Sequence, residues 1–237
     1  MLEINNLKKV YPNGKVAVDG VSIKLNAGDI YGFIGPNGAG KTTTLNSCSG
    51  ILNFEEGDIK FGELSIKDNA IDFKKQISYL PDHPVLYEFM TANEYVNFIS
   101  DIFEVSTEKR KDNAKKYSEM FALDKDMDKP IGSYSHGMKQ KLAIIASLVH
   151  EPKLLMLDEP FVGLDPKSRH EFKELLTNYC KGGGTVFFST HGLDDAQNLC
   201  NRIGIINNGK LVKEGKTSDV IKDKSLEKVF LELTNEE

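Results

Sequence analysis

Cysteine is scarce in this 237-residue chain. The three that occur, Cys48, Cys180 and Cys200, are far apart, odd in number and never spaced C-x-x-C. That excludes a disulfide framework and argues against a zinc site, so a reducing compartment such as the cytoplasm is the expected setting. Long apolar runs are missing as well. The run Leu154 to Leu157 falls far short of the ~20 residues a membrane span needs. Met1-Leu2-Glu3-Ile4 does not open a signal peptide, so a membrane role is expected to pass through a partner. Cations are not in excess, since 30 Lys and Arg face 35 Asp and Glu for a net charge of −5. Dispersed basic residues at that balance argue against nucleic acid as a partner, because phosphate neutralisation needs a basic face. Internal repeats and low-complexity linkers are also lacking. What remains is enough chain for a large buried core, as one composite domain or a core with a smaller inserted lobe.

Coarse patterning gives an α/β order. Leu2 to Ile4, Val21 to Leu25 and Ile30 to Ile34 read as short strands with an Asn26-Ala27-Gly28-Asp29 turn between the last two. A helix over Thr42 to Ile51, a strand over Gly57 to Phe61 and another at Ile77-Ser78-Tyr79-Leu80 follow. From Thr91 to about Val149 the period becomes helical, opening with a Thr91-Ala92-Asn93-Glu94 capping box. Thr107 to Leu123 carries Ala114, Tyr117, Met120 and Phe121 on one side, as an amphipathic helix does. His150-Glu151-Pro152 closes a further helix. Leu154 to Leu157 and Thr185 to Ser189 are apolar runs of the kind found in a parallel sheet covered on both faces. Ile203 to Asn207 and Lys210 to Val212 flank Asn208-Gly209, a strong hairpin signal.

The most informative segment is Gly35-Pro36-Asn37-Gly38-Ala39-Gly40-Lys41-Thr42, which fits G-x-x-x-x-G-K-[ST] between an apolar strand and a helix. Glycines let backbone N–H groups curl around phosphate oxygens, the helix presents its positive end, and Lys41 adds a cation. Gly35, Asn37, Gly38, Ala39, Gly40, Lys41, Thr42 and the adjoining Thr43 are therefore the candidate phosphate-binding residues, and the Thr42 hydroxyl suits Mg²⁺. Leu154 to Asp158-Glu159 is an apolar strand ending in two carboxylates. Strand geometry points adjacent side chains in opposite directions, which assigns Asp158 to Mg²⁺ beside Thr42 and Glu159 to the attacking water as general base. His191 follows the Thr185 to Thr190 strand. Strand C-terminal ends in α/β sheets face the ligand crevice, so His191 is expected to meet Glu159 and the phosphate loop and to reach a terminal phosphate. Lys41, Glu159 and His191 are thus the candidate catalytic set.

Tyr134-Ser135-His136-Gly137-Met138-Lys139-Gln140 resembles the signature of ATP-binding-cassette (ABC) ATPases in a relaxed Y-S-x-G-M form seen in exporter-type members. The phosphate loop resembles their Walker A, Leu154 to Glu159 their Walker B, Gly163 to Pro166 their D-loop and His191 their switch histidine, in family order along nearly the whole chain. The resemblance implies a P-loop NTPase (RecA-like) core with a mostly parallel sheet, an N-terminal antiparallel β subdomain and an inserted α-helical subdomain. On this reading residues 1–237 form a single ABC ATPase domain, with the core over 1–85 and 151–237 and the helical part over about 86–150. It also implies ATP as ligand, with Tyr11 stacking on adenine. Ser135 and Gly137 would bind the γ-phosphate of ATP held by a second cassette, and Asp165 would communicate across the dimer. Where the family has glutamine this chain has Asp82, a weak candidate metal ligand that agrees with an exporter subgroup. The tail Ser225 to Leu233 resembles the closing helix of such ATPases.

The implied function is the ATP-hydrolysing subunit of an ABC transporter, peripheral on the cytoplasmic face of the cell membrane. Its expected partners are an integral membrane permease and a second copy of itself or a homologous ATPase. His83, Leu86, Tyr87 and Phe89 are candidate permease contacts. The alternative is a soluble ABC-type ATPase of translation or DNA maintenance. Such proteins usually carry two cassettes or a very long coiled coil, and this chain has neither.

Overall fold

Apolar residues alternate along the first strands. Leu2, Ile4 and Leu7 of β1 (Leu2–Val10) and Val21, Ile23 and Leu25 of β2 (Val16–Leu25) turn inward between exposed or half-buried neighbours. Both strands outrun their sequence signals. Asn6 takes a left-handed φ of 49° at an irregularity in the pairing, so β1 continues through a kink where the pattern of alternation breaks. All residues of β3 (Ile30–Ile34) are buried, as in a strand covered on both faces. The chain then forms α1 (Lys41–Ser49), followed by β4 (Glu56–Phe61) and β5 (Leu64–Ser65), which complete an antiparallel sheet of order β2-β1-β4-β5. Next come α2 (Ala70–Lys75) and β6 (Ile77–Leu80).

A helical stretch of α3 (Ala92–Ile102), α4 (Thr107–Met120) and α5 (His136–Leu148) follows. Thr91 and Glu94 close a reciprocal capping box on α3, with Thr91 Oγ1 accepting from the Glu94 amide at 3.2 Å and Glu94 accepting from the Thr91 amide at 2.8 Å. Leu142, Ile144, Ile145 and Leu148 of α5 are buried in a core shared with Tyr117 and Phe121. After α5 the chain turns through Glu151, which has a left-handed φ of 51°, before Pro152.

A computed structural model describes residues 1–234. Its remaining elements are β7 (Leu154–Asp158), α6 (Pro166–Lys181), β8 (Thr185–Thr190), α7 (Leu193–Leu199), β9 (Arg202–Asn207), β10 (Lys210–Lys216), α8 (Thr217–Ile221) and α9 (Leu226–Thr234). The second sheet has the order β10-β9-β3-β8-β7-β6, parallel except for its β10 edge. The fold is therefore the expected α/β core with an antiparallel sheet beside it and inserted helices. Asn208 and Gly209 adopt φ of 45° and 76° between β9 and β10, the left-handed pair a tight hairpin of right-twisted strands needs. Because β3, β8 and β7 run parallel as neighbours, the phosphate loop, His191 and the Asp158-Glu159 pair leave the sheet at one edge.

Close approach at Gly204 ties β9 to β3, since a Cβ there would lie 2.1 Å from the phenolic oxygen of fully buried Tyr31. Gly204→Ala is expected to destabilise the fold by about 1–3 kcal/mol through overpacking, read as a lowered Tm. All three cysteines are buried. Burial pushes the Cys180 thiol up to about 12 and raises those of Cys48 and Cys200 as well. Among the described residues no helix is long and apolar enough to cross a membrane.

Candidate active site

The loop from Gly35 to Gly40 is shaped by contacts a side chain would break. A Cβ on Gly40, whose φ is 111°, would lie 2.4 Å from the Ala17 carbonyl, and one on Gly35 would lie 2.4 Å from the Ile206 carbonyl. Ala39 is anchored by its carbonyl, which accepts from the Gly209 amide at 2.9 Å. The loop is thus pressed against β2 and the β9–β10 hairpin, while Asn37 and Gly38 stay exposed at its tip. Lys41 is 8% exposed and donates to the Gly35 and Pro36 carbonyls at 2.7 and 3.1 Å. Burial lowers its ammonium below the ordinary lysine range, and the carboxylates of Glu159 and Asp158 oppose that shift.

A cavity of about 460 Å³ opens here, lined by Tyr11, Asn37, Gly38, Gly40, Lys41, Thr42, Thr43, Asp82, Asp158, Glu159 and His191. Lys15 and Ala17 line it too, and sequence reasoning passed over both. The Tyr11 hydroxyl lies 3.2 Å from Thr43 Oγ1, which holds the ring beside the start of α1.

Asp158 is 1% exposed and accepts from the Ser189 hydroxyl. Its second oxygen, Oδ2, is buried without a hydrogen-bond partner. Burial raises its carboxyl above the usual range. The Ser189 and Thr42 hydroxyls pull it down, and the nearby charges of Asp82 and Glu159 add to the rise. An orphaned carboxylate oxygen beside a threonine hydroxyl is a donor set that fits a hard cation such as Mg²⁺. Among the described residues no three His, Cys, Asp or Glu side chains are grouped to hold a metal by themselves.

Glu159 diverges from Asp158 for a reason other than strand alternation. β7 ends at Asp158, and Glu159 takes a left-handed φ of 48° as the first residue of a turn. Its Oε1 accepts from the His191 amide at 2.9 Å and lies 2.8 Å from His191 Nδ1, while Oε2 accepts from the Thr190 hydroxyl at 3.2 Å. The C-terminal end of β8 therefore holds both acidic residues, Ser189 on one and Thr190 with His191 on the other. Only His191 of those three was singled out from sequence. The other two were legible in principle, because they close the same strand on the same edge.

Ser135, Gly137 and Asp165 are not among the residues lining this cavity. Ser135 caps α5, accepting from the Met138 amide at 3.3 Å. Asp165 caps α6, accepting from the Ser168 amide at 3.0 Å and its hydroxyl at 2.8 Å. Asp82 sits at the cavity mouth, half-exposed, and accepts from the His83 amide at 2.8 Å. A second cleft, of about 490 Å³, runs between β6 and the helices, lined in part by Ile51, Leu80, Val85, Tyr95, Ile99 and Phe103. Leu86, a candidate permease contact, is 9% exposed and packs with the core while also lining this second cleft. Tyr87 and Phe89 are exposed and stack on each other at 5.9 Å.

Residues 18–162 match the family model described as ABC transporter. The chain is 35% identical over 220 residues to the linearmycin resistance ATP-binding protein LnrL of Bacillus subtilis (strain 168), covering 93% of this chain and 70% of that protein. It superposes on an ATP-binding subunit of an ABC transporter with a TM-score of 0.93 at 29% identity, covering 98% of this chain and 99% of the other. A dimeric ATP-binding cassette in a post-hydrolysis state with ADP and Pi bound gives a TM-score of 0.83 at 25% identity, covering 92% and 99%.

Proposed function

The chain belongs to the ABC transporter family as an ATP-binding, ATP-hydrolysing subunit, and from that membership we propose that it powers an exporter through a head-to-tail dimer with a second cassette. The observation that carries this reading is the division of the site. Lys41, Thr42, Asp158, Glu159 and His191 share one cavity, while Ser135 and Gly137 stand outside it. Tyr11 offers a π-face to adenine, and the loop amides with Lys41 hold the phosphates. Ser135 and Gly137, at the amino end of α5, complete the site of the opposite subunit, where the helix end favours an anion. Asp165 lies on the same side and serves communication between subunits.

Thr42 and Asp158, with Asp82 more distant in role, are the residues that would hold Mg²⁺. That ion, when bound, would neutralise charge on the phosphate oxygens. Glu159 takes the proton of the attacking water, and His191 with Thr190 fixes its carboxylate in place. His191, with two thirds of its side chain exposed, is free to meet the terminal phosphate from the other side. Asp82→Asn is expected to change turnover of the purified protein by less than about 3-fold, the scale of one half-exposed charge. Loss of Mg²⁺-dependent nucleotide binding in that variant would assign Asp82 a direct metal contact.

The helices between residues 86 and 150 form the lobe that docks the permease. The cleft between β6 and that lobe, lined by exposed Val85 and by Tyr95, against which the exposed Tyr87 ring packs, receives the permease at the cytoplasmic face of the membrane. LnrL is by its name a resistance protein, and export is the direction we assign here. The test is co-purification from the native cell after mild solubilisation. A polytopic membrane protein at stoichiometric ratio is the expected companion. Recovery with ribosomes or DNA-repair factors would move the same ATPase to a soluble role.

A further inference from the structure

Among the described residues five buried side-chain nitrogen or oxygen atoms have no hydrogen-bond partner, and two of them, Asp158 Oδ2 and the hydroxyl oxygen of Tyr79, belong to neighbouring strands. β6 and β7 run parallel with Tyr79 paired to Met156. Asp158 follows Met156 by two residues, about 7 Å along the strand, so its side chain leaves the same face of the sheet as those of Met156 and Tyr79. That face is the one covered by α1, where Met156, Leu45 and Cys48 share a core against which the Tyr79 ring packs. The ring also lines the second cleft, whereas its hydroxyl is sealed from solvent. Burial raises the phenol above its ordinary range, and the charges of Asp158 and then Asp82 raise it further, which places the hydroxyl in the field of both acids. A buried hydroxyl and a buried carboxylate oxygen that both lack partners are costly, and a gap of this kind is one that a water or an ion fills.

We propose that Tyr79 is a positioning residue for Mg²⁺, its hydroxyl and Asp158 Oδ2 accepting together from one water in the shell of the ion. The inference rests on the reading that Thr42 and Asp158 hold that ion. Mg²⁺ dehydrates reluctantly and keeps several waters, so a site with few protein ligands recognises it in part through those waters. A metal-bound water has two protons to donate, and each of the two orphaned oxygens is an acceptor. Ser189 already fixes Asp158 Oδ1. The bridge from Tyr79 fixes the other oxygen, and outer partners of this kind orient a ligating carboxylate and set metal affinity. The role belongs to the hydroxyl alone, since a phenylalanine ring would fill the same space beside α1.

The test measures the affinity of the full chain for a non-hydrolysable ATP analogue, once with Mg²⁺ and once with EDTA, in the natural protein, Tyr79→Phe and Asp158→Asn. The ratio of the two affinities isolates the contribution of the metal, and the Tm without nucleotide or metal reads the packing of the ring. In Tyr79→Phe the ratio is expected to fall on the order of 10-fold, the effect of losing an outer-shell partner. Affinity in EDTA should be unchanged and the Tm not lowered, because the atom removed has no partner until the ion arrives. Asp158→Asn should lower the ratio as well. An unchanged ratio in Tyr79→Phe would overturn the inference while leaving metal ligation by Asp158 standing. A lowered Tm would overturn it too, by giving the hydroxyl a resident water of the fold, and equal losses with Mg²⁺ and with EDTA would make Tyr79 a packing residue of the cavity. A natural ratio in Asp158→Asn would overturn the reading of the metal site, and the role of Tyr79 with it.

Discussion

Glu159→Gln lowers ATP turnover by about 10²–10⁴, the usual contribution of a positioned general base, and leaves a persistent ATP-bound dimer. The expectation follows from how the carboxylate is held. Its oxygens accept from the His191 amide and the Thr190 hydroxyl, and a glutamine of nearly the same shape keeps one oxygen for the His191 amide and turns its NH2 as a donor to the Thr190 hydroxyl, which can accept. The backbone at this position is already left-handed, which glutamine tolerates no worse than glutamate. What disappears is proton acceptance, so ATP binding and dimer closure persist while the step that reopens the dimer is slowed. Phosphate release measures the first effect and size-exclusion chromatography with ATP the second. Near-normal turnover would remove Glu159 from the role of base.

Lys41→Ala weakens ATP binding by about 10–100-fold, the scale of a hydrogen bond to a charged group at 1.5–3 kcal/mol. Lys41 is buried beneath the loop with its ammonium on the Gly35 and Pro36 carbonyls, so the substitution removes the cation that faces the phosphates and an internal brace of the loop together. Titration calorimetry with ATP reads the loss directly. An unaltered affinity would contradict the assignment of this loop to phosphate.

Local chemistry made part of this structure legible from sequence. The Thr91-Glu94 capping box, the Asn208-Gly209 hairpin and the buried strands β3, β7 and β8 each follow from a few neighbouring residues, and each is present. Strand lengths were less readable. β1 and β2 pass through Asn6 and Gly20, both with positive φ, where sequence punctuation suggests an end although sheet pairing carries the strand onward. Helix α6 is signalled chiefly by Asp165 and Pro166, its cap and first residue, a pair that serves the nucleotide motif as well and so does not by itself announce a helix.

At the site, the order of motifs carried the candidate residues. Their mutual contacts depend on topology. Glu159 and His191 are 32 positions apart and meet because β7 and β8 are parallel neighbours with Asp158 opposite Ser189. The left-handed turn at Glu159 had no signal at all, since glutamate is not a residue that announces positive φ.

The three sealed thiols described with the fold make the chain its own clock. Thiolate is the species that alkylating reagents attack, and burial suppresses it at Cys48, Cys180 and Cys200. The closed protein should therefore stay unmarked, and each label gained reports an opening event at a known address. Cys48 dates the release of the helix behind the phosphate loop, Cys180 the fraying of α6 and Cys200 the lifting of α7 from β3. The order in which the three are marked would rank those segments by their free energy of opening, with no foreign probe in the molecule.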